Sequence, residues 1–127
     1  MNGSAAHRPG PSAPRVVLAL EGLVVLLGSG VALFRLDAPW WIALCVLIGP
    51  DLSMFGYAFG PRIGAATYNT FHTYLLGAPL AGVALIGGPA WLTMTGLVIL
   101  GHTGMDRMLG FGLKYATGFR DSHLGRV

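Results

Sequence analysis

The sequence predicts an all-α fold: a four-helix transmembrane bundle with a short C-terminal cytoplasmic segment. Three observations support this prediction: 54% of the 127 residues are hydrophobic, only 10% are charged, and four apolar stretches are separated by short breaks. A water-soluble domain usually carries about 25% charged residues. A chain this poor in charge is typical of a protein that faces lipid, where helices satisfy their own backbone hydrogen bonds. The composition therefore excludes a soluble globular enzyme, a disordered chain and, despite the excess of basic residues, a nucleic-acid-binding protein.

The four predicted helices have about the length that a membrane crossing needs. We place them at about residues 15–36, 40–59, 63–86 and 90–108, since about 20 helical residues span the hydrocarbon core of a bilayer. The breaks between them are short and contain proline: Asp37-Ala38-Pro39, Gly60-Pro61-Arg62 and Gly87-Gly88-Pro89. Pro79 predicts a kink in the third helix. We expect Pro50 to open the second helix and to free backbone carbonyls toward the polar residues of the interior.

The two ends of the chain differ in composition from these helices. Residues 1–14 are small, polar and proline-bearing, and they predict a disordered cytoplasmic tail. In residues 109–127 the aromatic side chains of Phe111, Tyr115 and Phe119 recur at a helical spacing, which predicts a cytoplasmic segment packed on the bundle. The same spacing also fits a segment that lies on the membrane surface.

The basic residues predict the orientation of the chain in the membrane. Four crossings place both termini and residues 59–62 on one side, and that side carries seven of the eight Lys and Arg residues. Arg35 alone lies on the other side. Because cytoplasmic loops are enriched in Lys and Arg, we expect a multi-pass protein of the inner (plasma) membrane with both termini in the cytoplasm.

Ionisable residues within the predicted helices gather in the cytoplasmic half of the membrane. They are Glu21, Asp51, His72, His102 and Asp106, and the amide side chain of Asn69 lies at the same level. The third helix carries two of them three residues apart and the fourth carries two of them four residues apart, so each pair shares a helix face. Such groups are costly in hydrocarbon and normally face the interior of a bundle. We expect these side chains to meet at one level, with Asp121 and His123 closing the cytoplasmic mouth.

Two imidazoles and several carboxylates are a ligand set that suits Zn, Fe or Mn. We expect His72, His102 and Asp106 to bind a divalent metal, and Asp51 or Glu21 to act as a further ligand or a catalytic base. A bound metal activates water or dioxygen. The pattern therefore predicts a metal-dependent membrane enzyme, a hydrolase or an oxidase, whose site opens to the cytoplasm. Its partners would be the lipid bilayer and a lipid-like or small soluble substrate.

The alternative is a non-enzymatic membrane bundle in which the same polar groups hold the helices together. Interhelical polar contacts of this kind average under about 1 kcal/mol. An accessory subunit or a small proton-coupled carrier would need no metal. A carrier also needs polar residues in both leaflets, and the far half of the predicted helices contains no ionisable residue. The sequence leaves the metal, the substrate and the oligomeric state open.

Three stretches resemble a known family. They are RVVLALEGL, GPDLSMFGYAFGPRIGAATYNTFHTY and GHTGMDRMLGFGLKYATGFRDSHLGRV. Over about residues 15–127 the chain resembles a bacterial integral membrane family, domain of unknown function 4260. The resemblance implies a small four-helix inner-membrane protein and assigns no reaction. The family pattern includes the positions of Glu21, Asp51, Asn69, His72, His102, Asp106, Lys114, Asp121 and His123. A weaker likeness to membrane-bound metal-dependent hydrolases favours a hydrolase without giving any residue a role.

Reporter fusions test the predicted orientation. Green fluorescent protein fused after Val127 should fluoresce, because the C-terminus is expected in the cytoplasm. Alkaline phosphatase inserted after Asp37 should be active, because that turn is expected in the oxidising outer compartment, where the disulfides of the enzyme form. An active phosphatase after Val127, or an inactive one after Asp37, would contradict the orientation.

Overall fold

The computed structural model describes residues 13–113, and every regular element in this range is helical. In chain order the elements are α1 (Ala13–Arg35), α2 (Trp41–Ile48) with a first 3₁₀ segment (Gly49–Phe59), α3 (Pro61–Phe71), α4 (Tyr74–Ala81) with a second 3₁₀ segment (Gly82–Ile86), and α5 (Ala90–Leu109). These elements form four helical segments, of which the second and third are interrupted. The predicted all-α class is confirmed. Most of the predicted N-terminal tail, and the C-terminal segment beyond residue 113, lie outside the described residues.

The second helical segment changes from α-helix to 3₁₀-helix at Gly49 and Pro50. Pro50 has no N–H, so the carbonyl of Val46 loses its α-helical partner. The 3₁₀ segment that follows is 11 residues long, although runs beyond three or four residues are uncommon. It packs mainly against α3 and carries Asp51 in its first turn.

The third helical segment is interrupted at His72 and Thr73, where the sequence predicts one continuous helix. His72 ends α3 with φ −121° and ψ 35°. Thr73 is extended and caps α4, since its hydroxyl accepts a hydrogen bond from the N–H of Leu75 at 3.2 Å. Pro79, where we expected the kink, lies inside α4. The main interruption therefore falls at the histidine and not at the proline.

Helix α5 is the element around which the others pack. It contacts α1 and α4 most extensively and also meets α2 and both 3₁₀ segments. Glycines allow the close approach: a Cβ at Gly104 would collide with the carbonyl oxygen of Gly22 in α1, and a Cβ at Gly96 would collide with the backbone of α4 at Ala81. Small residues at such crossings let helix backbones meet. The sequence contains no Gly-x-x-x-Gly in α1, yet one glycine from each helix is enough to bring α1 against α5.

The interior of the described chain is unusually polar. Its three largest fully buried side chains are His72, His102 and Thr103. The buried apolar cluster is small and centres on Leu33, Ile42 and Leu97. In a water-soluble protein the largest buried side chains are normally apolar, and histidines are more exposed. The core is therefore held largely by polar contacts.

The outer surface is correspondingly apolar. Large hydrophobic side chains are exposed along nearly all the helical elements, from Val16 to Leu109. Water-soluble monomers rarely expose apolar surface on this scale. Two segments, Ala13–Arg35 and Trp41–Phe59, are long and apolar enough to cross a membrane. The four crossings and the orientation of the termini stay predictions.

Replacing Gly22 with alanine should destabilise the protein. The new Cβ would meet the backbone of α5 at Gly104 and Met108, and overpacking of this kind typically costs about 1–3 kcal/mol. The matched control is Gly28→Ala in the same helix, where a Cβ meets nothing within 4 Å. Thermal unfolding followed by tryptophan fluorescence in detergent should show a lower Tm for Gly22→Ala only. Equal Tm values for the two variants would contradict the close α1–α5 crossing.

Candidate metal centre

Four side chains from three helical segments converge in the interior. They are Asp51 from the first 3₁₀ segment, His72 from the end of α3, and His102 and Asp106 from α5. One ligand atom from each lies within 4.8 Å of the other three. The two histidines are fully buried and Asp106 is nearly so. The structure thus brings the three predicted metal ligands together with Asp51; we call these four residues the His/Asp group.

The distances that involve the two histidine Nε2 atoms are close to the edges of a metal-sized tetrahedron. The two histidine Nε2 atoms lie 3.2 Å apart. Asp51 Oδ1 lies 3.1 Å from Nε2 of His72 and 3.0 Å from Nε2 of His102. Asp106 Oδ2 lies 3.6 and 3.5 Å from the same two atoms. Four ligand atoms at about 2.0–2.1 Å from a tetrahedral zinc ion would lie about 3.3–3.4 Å from one another.

Hydrogen bonds on the far side of each imidazole fix the positions of the protons. Nδ1 of His102 donates to the carbonyl of Val46 at 2.7 Å, and Nδ1 of His72 donates to the carbonyl of Tyr68 at 2.8 Å. A carbonyl only accepts, so each Nδ1 carries a proton and each Nε2 of a neutral ring presents a lone pair. The carboxylates of Asp51 and Asp106 are acceptors as well. With neutral imidazoles, four lone pairs therefore face one another, and a cation between them would stabilise the arrangement.

The two helix interruptions supply the carbonyls that orient the imidazoles. Val46 offers the carbonyl that Pro50 leaves without an α-helical partner, and His102 uses it. At the end of α3 the N–H of His72 donates to the carbonyl of Asn69 at 3.3 Å, while its Nδ1 binds the carbonyl of Tyr68. The opening that we expected at Pro50 thus provides a carbonyl to the site, and an unexpected interruption provides the second one.

Tyr68 belongs to the site, and sequence reasoning missed it. Its hydroxyl donates a hydrogen bond to Asp106 Oδ2 at 3.3 Å. Its ring stacks on the imidazole of His72, with centroids 3.7 Å apart and planes inclined by 7°. Tyr68 lies four residues before His72, a spacing that places two side chains on one face of a helix. That spacing was the signal that could have identified it.

Arg107 is buried beside the His/Asp group and binds main-chain carbonyls. It donates to the carbonyl of His72 and to the carbonyl of Phe111, each at 2.8 Å. The first carbonyl lies at the interruption between α3 and α4. The second follows Gly110, whose φ of 90° ends α5 in the left-handed conformation that favours glycine. Arg107 therefore joins the His72 interruption to the end of α5.

The remaining predicted site residues do not join the group in the described structure. Glu21 is exposed on α1 and lines a groove with Tyr74. It is not among the residues whose ligand atoms converge. Asp121 and His123 lie outside the described residues, so their place at the cytoplasmic mouth stays a prediction.

Fold and site together define a helical protein with two segments able to cross a membrane and a group of two histidines and two aspartates, of which Asp51 alone is partly exposed. The chain belongs to the family described as Domain of unknown function (DUF4260), whose sequence profile matches residues 15–127. This match confirms the family resemblance and includes the whole His/Asp group. No curated protein and no solved structure matches the chain at a significant level. The function must therefore be argued from the site.

Replacing Arg107 with methionine should lower the stability of the protein. The carbonyls of His72 and Phe111 would lose their donor, and a buried acceptor without a partner costs about 1–3 kcal/mol. Arg62→Met is the control, because Arg62 is exposed at the start of α3. Thermal unfolding in detergent should show a lower Tm for Arg107→Met than for Arg62→Met. If Arg107→Met unfolds at the wild-type Tm, the two carbonyl contacts contribute nothing.

Proposed function

We propose that this protein binds one divalent transition-metal ion, with zinc favoured, between Asp51, His72, His102 and Asp106. The observation that carries the proposal is the convergence of four lone pairs within 4.8 Å of one another, with both Nδ1 protons committed to carbonyls. The two Nε2 atoms lie 3.0–3.6 Å from each other and from the carboxylate oxygens. Zinc takes four nitrogen and oxygen ligands in a tetrahedron of this size. Asp51, which we expected to be a further ligand or a base, would then be the fourth ligand.

The charge of the ligand set also favours a divalent ion. Two neutral imidazoles and two carboxylates carry a charge of −2, which a divalent cation neutralises. A neutral complex costs far less to bury in a membrane protein than two unpaired carboxylates would. A monovalent or trivalent ion would leave a net charge on the ligand set.

The contacts outside the ligand set are those that metal-binding histidines usually have. A metal-bound histidine commonly donates its other ring N–H to a backbone carbonyl or a carboxylate, which fixes the ring and its tautomer. Both histidines of the His/Asp group do so. The hydroxyl of Tyr68 supports the carboxylate of Asp106 in the same way. These contacts support a preformed site.

We further propose that the protein is a metal-dependent membrane hydrolase. Zinc has no redox chemistry, so a zinc site favours hydrolysis over oxidation. Catalytic zinc sites keep one position open, so the ion would be held by His72, His102 and Asp106 with the Asp51 carboxylate displaced. In that state it would supply hydroxide near neutral pH and polarise a carbonyl or phosphoryl group. In such a hydrolysis the hydroxide oxygen bonds to the acyl or phosphoryl centre, the bond to the leaving group breaks, and the leaving oxygen takes the proton. The exposed apolar surface and the two long apolar segments support a location in the membrane.

Metal analysis of the purified, detergent-solubilised protein tests the proposal. We expect about one zinc ion per chain in the wild type. His72→Ala and His102→Ala should lose the ion, since each removes one of the buried ligands. Asp37→Asn is the control, because Asp37 lies in the α1–α2 turn and its left-handed backbone accommodates asparagine.

Three outcomes would contradict the proposal. The wild type could contain no metal after zinc is supplied, in which case the polar groups serve as interhelical contacts. The histidine variants could keep the metal of the wild type, which would place the metal elsewhere. Iron in place of zinc would support the metal site but contradict the proposed zinc hydrolase.

A further inference from the structure

Three residues of the His/Asp group are held by contacts outside the group. Nδ1 of His72 binds the carbonyl of Tyr68, and Nδ1 of His102 binds the carbonyl of Val46. The carboxylate of Asp106 accepts the hydroxyl of Tyr68, and its side chain is only 9% exposed. These three side chains are therefore fixed by the fold before any ion binds.

Asp51 differs from the other three in both respects. Within residues 13–113 the contacts of its carboxylate are with Nε2 of His72 and Nε2 of His102, both inside the group. Its side chain is 43% exposed. Within the described residues, moving this carboxylate away from a bound ion would break no hydrogen bond or ion pair outside the group. Asp51 is therefore the ligand that is easiest to displace.

The backbone that carries Asp51 also differs from that of the two ligands on α5. Asp51 lies in the 11-residue 3₁₀ segment, while His102 and Asp106 lie on the central helix α5. The hydrogen bonds of a 3₁₀-helix have poorer geometry than those of an α-helix, and long 3₁₀ stretches often mark a functional hinge. The element that carries Asp51 is thus less regular than the central helix and better able to adjust.

Three large neighbours of Asp51 along the chain are exposed and apolar. The residues that flank it along the chain, Ile48, Leu52 and Phe55, are 63%, 67% and 75% exposed. In a segment long and apolar enough to cross a membrane, such a surface faces lipid acyl chains. A molecule that reaches the ion past Asp51 would therefore come from the lipid phase.

We infer that the site admits an amphiphile with an acidic oxygen headgroup, which enters from the lipid past Leu52 and Phe55 and replaces the Asp51 carboxylate on the metal. This inference rests on the proposed metal site. The headgroup gives its proton to the displaced carboxylate and binds the metal through the resulting oxyanion, so the charge of the complex stays balanced. The substrate class is then a membrane lipid or lipid-like acid derivative and not a soluble metabolite.

Cobalt-loaded, full-length protein in lipid nanodiscs provides the test, because the visible absorption of cobalt(II) reports its ligands. The probes are dodecanohydroxamic acid and acetohydroxamic acid, which share a headgroup and differ in the chain. We expect the long-chain probe to change the spectrum at a concentration at least about a hundredfold lower, since each buried methylene adds affinity.

Partition of the long-chain probe into the nanodisc would also raise its local concentration. A variant near Asp51 is therefore needed to distinguish entry past Leu52 and Phe55 from simple partition. Phe55→Gln should weaken the long-chain probe by at least about fivefold and leave acetohydroxamic acid unchanged, because glutamine disfavours an acyl chain at the opening. The matched control is Phe34→Gln on α1, at an equally exposed phenylalanine far along the chain from Asp51. Asp51→Ala should keep the cobalt and bind both probes more tightly, since no carboxylate then competes for the ion.

The outcomes separate the two proposals. If the wild type gives no tetrahedral cobalt spectrum, the proposed metal site itself fails. If cobalt binds but both probes act at the same concentration, or Phe55→Gln and Phe34→Gln behave alike, the lipid route is overturned and the metal site stands. If Asp51→Ala loses the cobalt as completely as His102→Ala, Asp51 is a fixed ligand and the exchange is overturned.

Discussion

The structure depends on the meeting of four hydrogen-bond acceptors, three of them on buried side chains. The two histidine Nε2 atoms and the oxygens of Asp51 and Asp106 come from three helical segments, so their contacts join parts of the chain that share few apolar contacts. Buried acceptors without a donor are unfavourable, and charged ones more so. The fold is therefore most stable when a positive charge, either protons or a metal ion, is shared by the group. A divalent ion satisfies this requirement with no charge left over.

The irregular parts of the helices serve this group. A continuous α-helix uses its own carbonyls, so it has none to offer to a side chain in its interior. Pro50 and the interruption at His72 each redirect one carbonyl to an imidazole Nδ1. Arg107 then stabilises the interruption by binding the carbonyl of His72. The local cost of breaking two helices is offset by the contacts that orient the ligands.

Close packing around α5 makes this geometry possible. Glycine contacts bring α1 against one side of α5 and α4 against another, and α5 itself supplies His102 and Asp106. In lipid the hydrophobic effect does little to hold helices together, so close packing and polar contacts contribute more to helix association. Asp51 lies on a less regular backbone than His102 and Asp106, and its side chain is far more exposed than that of Asp106.

The sequence by itself determined the all-α class, the family and the four helical segments, and it predicted that His72, His102 and Asp106 lie together. Charge scarcity and helical spacing are local properties of the chain, so they could be counted without a structure. Only the tertiary structure decided that Asp51 lies as close to the imidazoles as a ligand would, that Glu21 lies outside, and that Tyr68 and Arg107 support the site. These positions depend on which face each helix turns toward its neighbours and on where each helix is interrupted. Both are set by contacts between residues far apart in the chain, such as Val46 with His102, and helical spacing contains no information about them.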